Sequence, residues 1–90
     1  MREFRDDDEG YVRWLQEHPS GFVVNTYRRP SRNYLILHRA DCPHISARAD
    51  ESRRWTVDYI KICAANVQDL QTWAIEAVGG TVTRCRTCAL

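Results

Sequence analysis

The spacing of apolar residues along this chain changes between helical and strand-like patterns, and these patterns predict a helix, three strands and a second helix, in that order. The first helix is expected near the N-terminus, where Tyr11, Trp14 and Leu15 share one helical face. The acidic run at 6–9 precedes that face and would complement the positive end of the helix dipole, with Asp6 and Glu9 at capping-box spacing. We expect His18 to interact with the other end of the dipole.

Three segments have the β-branched and aromatic content of strands, and they cover residues 22–27, 34–37 and 56–64. The polar stretch 28–33 lies between the first two, so these are expected to pair as an antiparallel hairpin. Residues 46–55 show no periodicity and are expected to form a mobile loop.

The second helix is expected to begin after Asn66, a favourable N-cap residue, and to stop at Gly79-Gly80 in a left-handed cap. Its apolar residues recur at core spacing: Val67, Leu70, Trp73, Ala74, Ala77 and Val78. The predicted fold class is α+β, with an N-terminal helix, a three-stranded antiparallel sheet, a C-terminal helix and a closing Cys-x-x-Cys turn.

Two short pairs of metal-binding residues are the most informative chemical feature. His38 and Cys42 follow the second predicted strand, and Cys85 and Cys88 close the chain. One imidazole and three thiolates are a donor set that structural zinc takes in tetrahedral sites. The sequence therefore predicts one structural Zn²⁺ held by His38, Cys42, Cys85 and Cys88, which closes the 42 residues between the pairs into a loop.

Two other residues compete for the metal. Cys63 could replace His38 as a fourth thiolate, although its place in a strand alternation is typical of a buried core cysteine. His44, two residues after Cys42, is less favoured because structural sites prefer pairs separated by two to four residues.

The order of strand, metal pair, strand, helix and Cys-x-x-Cys resembles the Ada-type metal-binding domain, the zinc module of bacterial alkylation-repair regulators. The resemblance covers about residues 34–88, leaving 1–33 as a helix and first hairpin strand, and 1–90 as a single zinc-binding domain. It implies a shared zinc scaffold and nucleic-acid contact. His38 stands where that family has the cysteine that accepts a methyl group, which argues against methyl transfer here.

Composition changes this interpretation little. The 90 residues carry a net charge of +1, with no apolar signal segment and no membrane span, so a reducing, cytoplasmic setting is expected and four cysteines favour metal over disulfides. Twelve of the thirteen basic residues are arginine, which suits recognition of phosphate or carboxylate, although a GC-rich genome that favours arginine codons explains the excess equally well.

We expect arginines near the metal and at the hairpin tip to contact nucleic acid, DNA rather than RNA, together with an exposed tryptophan. The candidate residues are Arg28, Arg29, Arg32, Arg39, Arg53, Arg54, Trp55, Arg84 and Arg86. A set of solvated arginines paired with acidic residues explains the same pattern equally well. The alternative function is a zinc-stapled adaptor that docks a larger protein partner. No catalytic constellation stands out, so an enzyme is not expected.

Overall fold

The computed structural model describes residues 1–46 and 54–88. Its elements follow the chain as β1 (Arg2–Phe4), α1 (Asp8–Glu17), β2 (Phe22–Tyr27), β3 (Ile36–Arg39), α2 (Pro43–Ser46), β4 (Tyr59–Ala64), α3 (Val67–Trp73), a π-helical turn (Ala74–Val78) and β5 (Thr83–Arg84). The predicted α+β class is confirmed. The predicted loop at 46–55 falls mostly on residues 47–53, outside the described residues.

The described strands form one five-stranded mixed sheet in the order β1-β4-β2-β3-β5. The hairpin of β2 and β3 is antiparallel as predicted, and β4 pairs antiparallel with both β2 and β1. β5 pairs parallel with β3. The prediction of a three-stranded antiparallel sheet is therefore wrong, because the two short edge strands carry too few residues to show an alternating pattern.

The acidic run before α1 makes specific contacts with Thr56. The backbone N–H of Asp6 donates to the Thr56 carbonyl oxygen (2.7 Å), and the N–H of Asp7 donates to Thr56 Oγ1 (2.8 Å). Asp8 Oδ1 accepts from the Thr56 N–H (2.7 Å). Thr56 therefore pairs with the segment at the start of α1 and not with a neighbouring strand, and β4 begins at Tyr59 rather than at the predicted residue 56.

The N-cap of α1 is Asp7, whose Oδ1 accepts from the Gly10 N–H at 2.9 Å. Asp6, expected to cap the helix with Glu9, instead has a positive φ of 53° and binds Arg28 through both carboxylate oxygens (2.7 and 2.9 Å). The capping-box prediction is therefore wrong by one residue. His18 does lie at the helix C-cap, where its backbone N–H donates to the Trp14 carbonyl oxygen.

Helices cover both faces of the sheet. On the first face, α1 packs Tyr11 and Trp14 in a cluster with Val23 and Cys63, and this cluster contains the three other cysteines. On the second face, α3 and the π-helical turn pack in a cluster made up of Val24, Leu35, Leu37, Ile60, Ile62, Ala64, Leu70 and Ala74. The strand β4, which lies between β1 and β2, is therefore buried on both sides from Ile60 to Ala64, Lys61 included, and only its first residue, Tyr59, is exposed.

The C-terminal helix begins as predicted, with Asn66 Oδ1 accepting from the Asp69 N–H at 2.9 Å. It ends in the π-helical turn, which the sequence pattern did not indicate. Gly79 has φ +78°, the left-handed cap that was expected. Gly80 allows a close approach of Arg32, because a Cβ at Gly80 would lie 2.6 Å from the Arg32 Cβ.

Candidate metal centre

The fold brings the two predicted metal pairs together. His38, Cys42, Cys85 and Cys88 each offer a donor atom, and these atoms all lie within 4.8 Å of one another. Cys42 Sγ and Cys85 Sγ are 3.9 Å apart. Two sulfur ligands of a tetrahedral zinc, each about 2.3 Å from the metal, would be separated by about 3.8 Å. All four cysteines of the chain are free.

The first pair is positioned by the end of β3 and the turn that follows it. His38 lies in β3, where it pairs with Val23. The backbone N–H of Cys42 donates to the Arg39 carbonyl oxygen (3.0 Å), which folds the chain back. The short helix α2 then begins, and Ser46 Oγ and the Ile45 N–H both donate to the Cys42 carbonyl oxygen. Hydrogen bonds therefore position the backbone on both sides of Cys42.

The second pair depends on the parallel pairing of β5 with β3. Ile36 pairs with Thr83 and Leu37 with Arg84. The backbone N–H of Cys85 then donates to the Leu37 carbonyl oxygen (2.8 Å), which continues the pairing by one residue. This register places Cys85 beside His38, so the sheet itself aligns one ligand from each pair.

Backbone N–H groups donate to two of the sulfurs. Burial would raise the pKa of the Cys85 thiol, but hydrogen bonds from the backbone N–H groups of Cys88 and Thr87, and with the other thiols, outweigh it and lower the pKa to about 7. For Cys42, burial raises the pKa to about 12 despite a hydrogen bond from the His44 backbone N–H. Such amide donors stabilise a thiolate, the form that binds a metal.

The imidazole is also in its metal-binding form. Burial lowers the pKa of His38 to about 4, and the nearby charges of His44 and Lys61 act in the same direction. The ring is therefore neutral at pH 7. Its Nδ1 is buried and has no hydrogen-bond partner among the described residues. An unpaired buried nitrogen costs free energy that a bound cation would recover, so the residues fit a metal ion.

The two competing residues lie outside this group. Cys63 is fully buried in β4, and burial raises its pKa to about 12. His44 is exposed, and its Nε2 lies 3.4 Å from Thr87 Oγ1. Neither belongs to the group of donors that converge in the described part of the chain.

The candidate arginines divide between two regions. Arg84 pairs with Leu37 in β5, and Arg39 lies two residues from Leu37, so both share the sheet face opposite His38. Arg39 also approaches Asp41 at 3.4 Å. Arg86 is exposed in the closing turn. The hairpin arginines, Arg28, Arg29 and Arg32, lie at the other end of β2 and β3.

Two predicted nucleic-acid residues have different surroundings from those expected. Trp55 is only 9 % exposed and its ring packs against Tyr11 at a centroid distance of 6.2 Å, so the expectation of an exposed stacking tryptophan is wrong. Arg28 forms an ion pair with Asp6 at 2.7 Å, so its guanidinium group already has an acidic partner. Arg54 is exposed, whereas Arg53 lies outside the described residues.

Sequence reasoning missed a surface cluster of three tyrosines. Tyr27, Tyr34 and Tyr59 lie in separate segments, and each was assigned only to a predicted strand. The signal that could have found them is the alternation of side chains between the two faces of a strand, which places residues of neighbouring strands on the same face. With β2 and β4 aligned as neighbours, Tyr27 faces Tyr59 directly.

Comparisons of the chain with family models, curated proteins and solved structures found no match. Function is therefore inferred from the site itself. Among the described residues, no helix has the length and apolar character needed to cross a bilayer.

Proposed function

We propose that this protein is a structural zinc module that binds nucleic acid through arginines close to the metal. The observation that carries the zinc proposal is the convergence of four buried donors within 4.8 Å. Three thiols and one imidazole are borderline-soft ligands that suit zinc better than calcium or magnesium. The free cysteines are consistent with a reducing compartment.

A structural role is favoured over a catalytic one because the site is closed. His38, Cys42, Cys85 and Cys88 are between 1 % and 7 % exposed. Catalytic zinc sites keep one position open for water, whereas structural sites use four protein ligands. Bound zinc would supply a cross-link between the strand β3 and the C-terminal turn. We also propose that the scaffold is related to the Ada-type metal-binding domain, with His38 in place of its methyl-accepting cysteine.

The nucleic-acid part of the proposal is supported by the arginines around the metal pairs. Arg39 and Arg84 share one sheet face, and Arg86 lies in the turn between the last two cysteines. Guanidinium groups bind phosphate through paired hydrogen bonds. Because the metal would hold both chain segments, it would also fix the spacing of these three side chains.

Native mass spectrometry of protein purified without chelator tests the metal. We expect one Zn²⁺ per chain with three thiol protons displaced. The Cys42→Ser and Cys85→Ser variants should lose the metal, and Cys63→Ser should retain it. Retention by Cys42→Ser together with loss by Cys63→Ser would contradict the ligand assignment.

Fluorescence anisotropy with labelled duplex and single-stranded DNA tests the second part. Affinity should fall steeply with salt, and replacing both Arg84 and Arg86 by Gln should weaken binding and reduce the magnitude of the salt slope by about one for each phosphate that is no longer neutralised. Arg13→Gln is the matched control, since Arg13 is an exposed arginine on α1 paired with Glu9. Absence of salt-dependent binding by the zinc-loaded protein would favour a protein-interaction adaptor.

A further inference from the structure

Three tyrosines form a partly exposed cluster of stacked and tilted rings at the end of the sheet away from the metal pairs. We call Tyr27, Tyr34 and Tyr59 the tyrosine platform. Tyr27 ends β2 and Tyr59 begins β4, and the two are direct cross-strand partners. Tyr34 joins them from the turn before β3. The ring centroids are 4.8 Å apart for Tyr27 and Tyr34, and 5.7 Å for each of the other two pairs.

The platform is open to solvent. Tyr27 is 45 % exposed and Tyr59 is 38 % exposed, while Tyr34 is half-buried. Every other described tyrosine and tryptophan is buried or half-buried. Large aromatic rings that remain in contact with water on a small domain are typical of binding surfaces.

Two arginines lie in the chain segment that joins Tyr27 to Tyr34. Arg29 is two residues beyond Tyr27, and Arg32 lies in the turn closed by the bridge between Ser31 and Tyr34. Both are exposed, and neither has an ion-pair or hydrogen-bond partner among the described residues. Arg28 differs, because Asp6 holds it. The hairpin segment next to the platform thus carries two exposed guanidinium groups.

We propose that the tyrosine platform binds single-stranded nucleic acid, with bases stacking on Tyr27 and Tyr59 and phosphates contacting Arg29 and Arg32. This inference rests on the proposed function, from which it takes nucleic acid as the ligand. It adds that the nucleic acid is single-stranded and that it contacts a second surface of the protein. Stacking on protein rings requires bases whose faces are free, which single strands offer and duplexes do not.

The geometry argues against two other occupants. The three rings lie within 38° of parallel, so they do not enclose a cation as an aromatic cage does. Lys61 Nζ already lies 5.8 Å from the Tyr59 ring centroid and would repel a second cation there. A symmetric dimer through this surface would bring two sets of Arg29 and Arg32 together, which like-charge repulsion disfavours.

The test is anisotropy of the zinc-loaded full chain with fluorescent oligothymidylate of about twelve nucleotides. We expect the double variant Tyr27→Leu/Tyr59→Leu to weaken binding roughly 10- to 100-fold. The loss should persist at high salt, because stacking does not depend on counterion release. The double variant Tyr27→Phe/Tyr59→Phe keeps both rings and should bind within about twofold of the parent.

Zinc content and thermal unfolding of each variant show whether the fold is intact, and Ile75→Ala, at an exposed site in the π-helical turn, is the surface control. Wild-type affinity in the folded leucine variant would overturn the inference. So would a leucine variant that changes only the self-association of the chain. If duplex binds through Arg84 and Arg86 while oligothymidylate does not bind, the platform proposal fails and the proposed function stands. If neither binds, the nucleic-acid proposal fails as a whole.

Discussion

At the scale of single residues, the cysteines of this chain differ in thiol pKa because their surroundings differ. Burial raises the pKa of both Cys42 and Cys63 to about 12, whereas backbone N–H donors help lower that of Cys85 to about 7. Cys42 lies among other donors and Cys63 does not. A buried thiol with no donor group around it behaves as a small apolar side chain. The role of each cysteine therefore follows from its neighbours.

Cys63 makes the chain sensitive to alkali. In the unfolded chain its thiol ionises near the ordinary pKa of 9.0, but in the folded protein burial keeps it protonated up to about 12. The unfolded state therefore releases a proton first, and stability that is fully present below pH 9 is lost as the pH rises toward 12.

Urea unfolding of the parent and of Cys63→Ala across this pH range tests the effect. The parent should lose about 1.4 kcal/mol per pH unit relative to the variant above the ordinary thiol pKa. Parallel curves for the two proteins would mean that the Cys63 thiol does not resist ionisation in the fold. Comparing the two removes the contribution of tyrosines and metal ligands, which both proteins share.

At the scale of elements, the metal pairs depend on a strand of only two residues. β5 places Cys85 beside His38 through its parallel register with β3. The Thr83 N–H donates to the Leu35 carbonyl oxygen at 2.7 Å, which begins this pairing. The alignment of two ligands therefore rests on a short run of backbone hydrogen bonds at the edge of the sheet.

Thr83→Pro should reduce zinc affinity although Thr83 is not a ligand. Proline removes the N–H that pairs with Leu35 and so weakens the register of β5. Competition with a chromophoric chelator measures the affinity, and we expect a loss of at least tenfold, about the effect of one missing backbone hydrogen bond. Thr81→Pro is the matched control, because Thr81 is exposed and precedes the strand. Equal affinities for the two variants would show that β5 does not align the site.

At the scale of the whole molecule, the proposed metal adds a long-range cross-link to a small core. Stability of a 90-residue domain is typically about 5–14 kcal/mol. Closing a loop of 42 residues lowers the conformational entropy of the unfolded chain, which stabilises the folded state by roughly 4 kcal/mol. Structural zinc sites contribute about 10–16 kcal/mol of binding free energy in small domains. The metal term is thus as large as the total stability expected.

Removing zinc should therefore unfold the protein at ambient temperature. A strong chelator is expected to abolish the cooperative thermal transition followed by circular dichroism, and returning zinc should restore it. Cys42→Ser and Cys85→Ser should behave like the chelated parent. Cys63→Ser should still unfold cooperatively, at a lower temperature that reflects only altered core packing. A chelated parent that keeps its transition would show that the two core clusters suffice without metal.

Much of the local structure was predictable from sequence because its causes are local. The hairpin of β2 and β3, the Asn66 cap and the left-handed Gly79 depend on residues a few positions apart. The two metal pairs are equally local, since His38 and Cys42, like Cys85 and Cys88, are close along the chain. Their residue types alone define a donor set that suits zinc.

What only the tertiary structure decided depends on residues distant in sequence. β1 and β5 are too short for a pattern and exist because neighbouring strands supply hydrogen-bond partners. The burial of Trp55, the ion pair of Asp6 with Arg28 and the tyrosine platform all require segments that meet only after folding. Sequence spacing determined which ligands are available. The register of the sheet determined which of them meet, because hydrogen bonding between strands sets positions that no local pattern encodes.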